Sequence, residues 1–288
     1  MRHFLNTASI ALLAATMLVS SAAQAAPLWL ERKFIPTPEL VDPIFAQNSD
    51  TKTVDVDHSA FDSLLETYLV PEPGTVSRVK YSDITAADRA ALGSYIASLE
   101  AQDVTRLTLD QQKAFWINLY NAATIGLIVD QYPVKSIRNV KVDGKGPWDL
   151  PLVTVNTVDL TLSQIENHVL RALFDDPRLH YALNCASIGC PNLAARAYTA
   201  ETLETMLENA AIAYVNDPRG AAIEKNRLVI SKIYGWYRED FGNTADTVLA
   251  HLRRYARGDL AAALANVTKI KKHRYDWALN DAASRPEG

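Results

Sequence analysis

Cysteine is almost absent from this 288-residue chain: Cys185 and Cys190 are the only two, and neither lies near the N-terminus. No cysteine is therefore placed where a bacterial lipoprotein leader would be acylated. Charge of one sign is not concentrated either. The formal net charge is -4 with both signs mixed along the chain, which argues against a nucleic-acid partner, because phosphate binding needs a basic stripe. The tract Lys269 to Arg274 is the one basic cluster and reads as a solvated strand end. After residue 25 no stretch approaches the roughly 18 uninterrupted apolar residues of a spanning helix, so no membrane anchor is expected. Repeats and low-complexity tracts are missing. The spacing between the two cysteines fits neither a zinc site nor a thioredoxin-like pair, and no metal or cofactor is expected.

What is present begins with a leader. Arg2 and His3 precede the apolar stretch Ile10 to Val19, and Ala23-Gln24-Ala25 satisfies the A-x-A rule for signal cleavage. Residues 1–25 are read as a signal peptide cut near Ala25–Ala26, which implies export to the periplasm or the medium. The remainder has the size of one domain. Residues 26–57, rich in Pro, Asp, Thr and Asn, read as an irregular arm, and 58–288 as a single globular domain.

Helical spacing at Phe61, Leu64, Leu65 and Tyr68 stops at Pro71, and alternation at Val76, Val79 and Tyr81 suggests a short strand. Three capping signatures come next: Thr85 with Asp88, Thr108 with Gln111, and Ser163 with Glu166. Residues 110–131 are apolar almost all round, the mark of a helix at the centre of a fold. A hairpin is expected around Leu152 to Leu160, a helix over Leu162 to Phe174, a strand over Leu179 to Asn184, a helix over Ala200 to Asn216 and a strand over Arg227 to Ser231. Helices near Tyr234 to Phe241, Ala245 to Ala256 and Leu260 to Asn266 complete the pattern. Strands are few and short, so the class is α+β, helix-dominated.

Two groups of residues could carry chemistry. Asn118, Asn121 and Thr124 recur at intervals of three and form one polar stripe on the central helix. Buried amides must find partners, so this stripe is either a structural network tied to loop backbone or a ligand-facing wall. The second group is HYALNCASIGCP, His180 to Pro191, which holds both cysteines. If Leu179 to Asn184 is a strand, His180 and Asn184 share one face, and His180 and Cys185 lie about 16 Å apart along it. Pro191 at a first helical position would make Cys190 an N-cap, where thiolate is favoured and a nucleophile is well placed. Against that, two cysteines this close in an exported chain are within reach of a disulfide. His168 and His180 are the candidate bases. His58, His251 and His273 read as solvated. Tyr234 to Phe241 packs four aromatics, among them Trp236, around Asp240, an acid that demands a partner.

FWINLYNAATI at Phe115 to Ile125, IENHVLR at Ile165 to Arg171, HYALNCASIGCPNL at His180 to Leu193, WYREDF at Trp236 to Phe241 and YDWALN at Tyr275 to Asn280 together resemble the domain-of-unknown-function 547 family. The resemblance implies a shared fold across most of the chain after the leader and assigns no activity.

Two functions are compatible with these residues. In one, an exported thiol hydrolase or acyltransferase uses Cys190 as nucleophile and His168 or His180 as base, with Asn118 or Asn121 orienting the base or stabilising an oxyanion. In the other, a Cys185–Cys190 disulfide rigidifies a loop beside a cleft lined by Asn121, Asn184, Trp236 and Asp240, which binds a small molecule or peptide without catalysis.

Overall fold

The computed structural model describes residues 27–72 and 74–284; the predicted leader lies outside them. Leu28–Glu31 forms the one-turn helix α1, and residues 35–57 run without strand or long helix apart from a 3-10 turn at Pro43–Ala46. Helix α2, Ser59–Tyr68, leads into the two-residue strand β1, Leu69–Val70, which pairs antiparallel with β2, Arg78–Val79. Thr85 caps α3, Ala86–Glu100, through Asp88 N–H. The fold is α+β and dominated by helix.

Helix α4, Leu109–Gln131, is the spine of the larger core. Thr108 and Gln111 close a reciprocal capping box at its start, worth about 1 kcal/mol. Beyond it Phe115, Trp116, Ile117 and Leu119 are wholly buried, each contributing about 1.5–3 kcal/mol of apolar transfer. No helix among the described residues is long and apolar enough to cross a membrane.

The expected hairpin around Leu152 to Leu160 is present as β3, Pro151–Val155, and β4, Val158–Thr161. Asn156 and Thr157 both take positive φ, the geometry of a tight two-residue connection that matches strand twist. Helix α5, Leu162–Ile165, passes through a π turn, Glu166–Leu170, into α6, Arg171–Leu173. Its cap is Thr161 with Gln164, one residue pair earlier than Ser163 with Glu166, which leaves the Glu166 side chain free for another role.

Leu179 to Asn184 does not form the expected strand: Leu179–Ala182 is a helical turn, α7. Asp176 starts it by accepting the Arg178 N–H, and Pro177 occupies the first turn, a combination that favours helix over strand. Helix α8, Leu203–Asn216, then leads to the hairpin of β5, Ala221–Glu224, and β6, Arg227–Ser231. Helix α9 covers only Ile233–Trp236, shorter than expected, because residues 237–243 fold into successive tight turns ending on Gly242 and Asn243 at positive φ. Helices α10, Ala245–Tyr255, and α11, Gly258–Leu264, cross back to β7, Ile270–Arg274, which pairs parallel with β6.

These last elements enclose a second core of aromatic residues around His251, which is half-buried instead of solvated. Its Nε2 lies 2.7 Å from the Tyr181 hydroxyl. Burial, then the charge of Arg254 and the proximity of His180, push its pKa down to about 4. An unfolded histidine titrates near 6.5, so the unfolded chain binds the extra proton first. Stability is thus intact above pH ~6.5 and falls as pH drops from there through 4, by up to about 3 kcal/mol. His251→Gln keeps a partner for Tyr181 and is expected to flatten this slope in urea melts between those pH values; an unchanged slope would refute the assignment. His58, also expected in solvent, is buried against Tyr95, 2.7 Å from its hydroxyl. His273 lies on β7, with burial lowering its pKa.

Candidate functional site

The turn at α7 directs His180 toward the loop after α9, where its Nε2 lies 2.6 Å from Asp240 Oδ2. Arg171, at the end of the π turn, holds the same carboxylate in a two-pronged grip, Nε to Oδ2 at 2.6 Å and Nη2 to Oδ1 at 2.8 Å. Burial alone would raise the Asp240 pKa, but the hydrogen bonds from Arg171 and then His180 hold it well below the usual range. Asp240 is therefore a fixed anion, and the proton of its bond to His180 sits on Nε2. Tyr237 stacks on the imidazole at 4.1 Å between centroids and carries the Arg171 guanidinium over its own ring at 5.0 Å. The ring is oriented on both flanks, as a carboxylate-held histidine is in proton-transfer and ligand sites.

Its other nitrogen, Nδ1, faces Glu166 Oε1 at 4.0 Å, too far for a direct hydrogen bond. Glu166 opens the π turn, and Tyr120 from α4 contacts its Oε2 at 3.3 Å. Tyr237 lies close enough to the same carboxyl for its charge to act on the phenol. Burial first, then the charge of Glu166, raises both phenols well above their ordinary pKa, so they remain donors.

Beside this centre stands a wall of half-buried aromatics. Trp277 lies 4.7 Å from Tyr275, 5.5 Å from Trp236 and 5.7 Å from Trp148 between centroids. Glu31 on α1 accepts the Trp236 indole N–H at 2.7 Å and pairs with Lys232 at 2.7 Å, so the N-terminal arm fixes one end of the wall. The arm also reaches the acid cluster, where Pro36 O accepts from Arg171 Nη1.

Cys185 and Cys190 form a disulfide, and no cysteine is free. Residues 191–194 are not helical, so Cys190 is not an N-cap; the Pro191 carbonyl instead accepts from the Asn184 side chain at 2.8 Å. The loop is braced on every side. Tyr214 donates to Gly189 O, Arg219 donates to the carbonyls of Ile188 and Cys190, and Gly189 N–H meets Asp276 O. A Cβ at Gly189 would stand 2.8 Å from Asp276 N, a separation that only glycine avoids. Tyr275 places its hydroxyl 3.0 Å from both sulfurs. Neither candidate base is among the sulfurs' hydrogen-bond partners: His180 is held by Asp240, and His168 has its Nδ1 2.8 Å from the Glu39 carbonyl of the arm.

The family model described as "Protein of unknown function, DUF547" matches residues 104–215. Residues 104–215 belong to the DUF547 family. No curated protein and no solved structure matches the chain. The DUF547 segment supplies Tyr120, Glu166, Arg171, His180 and the disulfide loop, while Trp236, Tyr237, Asp240, Tyr275 and Trp277 come from the chain beyond it. All five sequence blocks that carry the resemblance thus contribute to one place.

Within the DUF547 segment, Asn118 and Asn121 are occupied by backbone. Asn118 bonds both polar groups of Tyr198, with Nδ2 also 3.3 Å from His58 Nε2. Asn121 donates to Ala182 O and accepts from Asn184 N, both at 2.9 Å. Asn121 ties the central helix to the segment between His180 and the cysteines, and Asn118 ties it to the loop at Tyr198, while Thr124 Oγ1 is buried without a partner. Sequence reasoning passed over Glu166, Arg171, Tyr120, Tyr237, Tyr275 and Trp277 as site residues. The one available signal was that several of them sit in the same blocks as the candidates. Among the described residues no group of three or more His, Cys, Asp or Glu is arranged to hold a metal ion.

Proposed function

We propose that this chain is an exported binding domain for a small molecule, its site formed by His180 and Glu166 beside the aromatic wall, with the disulfide loop as a rigid support. One observation carries the reading: His180 Nδ1 and Glu166 Oε1 face each other at 4.0 Å, too far for a direct hydrogen bond, while Asp240 and Arg171 fix the imidazole from behind. The imidazole is held in one orientation and makes no direct hydrogen bond to Glu166, the arrangement of a ligand-facing histidine. Tyr275 couples this centre to the disulfide, and export accords with the A-x-A leader and with a disulfide, a bond that persists in oxidising compartments.

The thiol hydrolase or acyltransferase is the weaker reading. It gains only from the Cys185 N–H, which lies 3.0 Å from Cys190 Sγ and could support a thiolate there after reduction. The two are separated by hydrolysis of p-nitrophenyl acetate with and without reductant, run beside a thermal-shift screen of small metabolites. A binding domain gives ligand-dependent shifts without reductant and no reductant-dependent hydrolysis. Turnover that appears on reduction and vanishes in Cys190→Ala would overturn it.

As a support, the disulfide closes a short loop, and its removal in Cys185→Ala/Cys190→Ala is expected to lower stability by about 2 kcal/mol. Urea denaturation of both proteins measures this directly; equal midpoints would show that the packing around Gly189 and Tyr275 suffices alone.

A further inference from the structure

The start of the N-terminal arm turns its charges inward and its rings outward. On α1 and the 3-10 turn that continues it, Arg32–Phe34, three side chains meet the body of the protein. Leu28 lies against Gly235, where an added Cβ would stand 2.5 Å from a Leu28 methyl carbon. Glu31 pairs with Lys232 and accepts the Trp236 indole N–H, and Arg32 faces Glu239 at 3.8 Å. The side chains left outside are Trp29, 63% exposed, and Phe34, 79% exposed, with Lys33 standing 5.3 Å from the Trp29 ring centroid. A helical turn that served only to complete the core would bury its rings and expose its charges. Single apolar side chains at a surface need no explanation, but the two most exposed large hydrophobics among the described residues share this one short segment.

The free charge around these rings has one sign. Gly235 also brings β7 beside α1, since His273 Cδ2 lies 3.2 Å from the same Cβ position. That strand carries the basic tract, with Lys271 and Lys272 exposed. Arg238, in the turns after α9, is near enough for its charge to act on His273. Among the described residues no acid lies within 4.0 Å of Lys33, Arg238, Lys271 or Lys272. On α1, on β7 and over residues 237–243 the acids are Glu31, Glu239 and Asp240, and each already faces a cation.

Unpaired lysine and arginine beside an exposed indole and phenyl ring is the make-up of a peripheral membrane contact. The rings settle at the level of the head groups, and the cations meet anionic lipid. Two such rings bury about 300–500 Å², short of the roughly 1,200 Å² that a stable contact between two proteins needs. A lipid surface needs no shaped counterpart, and its negative potential adds to the burial of the rings.

We infer that the arm docks the protein on an anionic phospholipid surface, with Trp29 and Phe34 among the head groups and Lys33, Arg238, Lys271 and Lys272 facing their negative charge. The contact is peripheral, because no described helix is long and apolar enough to cross a membrane. It is independent of what the His180 site binds.

Co-sedimentation with vesicles tests it, using the full chain after leader removal and either phosphatidylcholine alone or phosphatidylcholine with about a third phosphatidylglycerol. Binding to the anionic vesicles is expected to be at least about tenfold tighter, and to weaken at least about tenfold as salt rises from about 0.1 M to about 1 M. Trp29→Ala/Phe34→Ala should lower it at least about tenfold, and Lys33→Glu by a similar factor. All three side chains are exposed, so urea midpoints equal to the parent's are expected and check that the variants fold. Leu109→Ala, which removes an exposed apolar side chain from α4, should leave binding unchanged. Equal affinity for both vesicles would overturn the anionic assignment, and binding untouched by the arm variants would overturn its placement on α1. Absence of vesicle binding would overturn the inference outright; a concentration-dependent dimer lost in Trp29→Ala/Phe34→Ala would then assign this face to a second copy of the chain.

Discussion

Arg171→Met is expected to destabilise the protein by about 3–5 kcal/mol, the characteristic cost of removing one partner from a buried ion pair. The size reflects the number of groups the guanidinium holds. Its side chain is 4% exposed, and it makes both prongs to Asp240, a bond to the Pro36 carbonyl, another to Asn167 Oδ1, and the cation over Tyr237. Methionine matches much of the volume and none of the charge, leaving Asp240 with His180 alone. Asp240→Asn in the same background should recover part of the loss, because the uncompensated anion disappears. Urea denaturation of the two single variants and the double variant gives the coupling; additive losses would mean that the pair does not act as a unit.

Asn121→Leu is expected to cost nearly as much, through an ordinary amide. Leucine fits an apolar helix face and improves helix propensity, so a purely local view predicts a neutral change. The asparagine, however, is the sole hydrogen-bonding side chain for the Ala182 carbonyl and the Asn184 N–H among the described residues. Each buried backbone group orphaned by the substitution costs about 1–3 kcal/mol. The loss should fall on α7 and the disulfide loop first, so hydrogen exchange at residues 179–190 is expected to accelerate before that of α4. Exchange that rises uniformly, or a variant as stable as the parent, would show that the loops are held by other means.

That contrast also marks how far a sequence alone can be read. The central helix was legible because an all-round apolar stretch with a capping box has one economical fate, and a hairpin was legible around Leu152 to Leu160, though not its turn at Asn156–Thr157. The polar stripe on the helix was visible too, but not whether its amides faced a ligand or a backbone, since that depends on which loop arrives beside them. His180 was placed on a strand because Leu179 to Asn184 is apolar and short. Asp176, which accepts the Arg178 N–H on its side chain and the Leu179 N–H on its carbonyl, turns the chain into a helical turn there instead.

Glu166 escaped notice for a different reason. A π turn adds a residue to the helical repeat and rotates the residues after it, and nothing in local spacing announces it. Two of the histidines expected in solvent, His58 and His251, were misplaced because burial of a polar ring is decided by distant aromatics: Tyr95 for His58, and Tyr181, Tyr234, Phe241 and Tyr255 for His251. Asp240 was correctly expected to need a partner, yet that partner lies far back in the chain. The acid–base centre is assembled by long-range contacts between segments that are individually unremarkable.

The claim on which this assembly turns is that the cysteines support the site and do not work in it. Intact mass of the purified protein, unfolded in denaturant and alkylated without reductant, tests it most directly. No adducts are expected, with two appearing after reduction; two adducts before reduction would contradict the disulfide and return Cys190 to the candidates for a nucleophile.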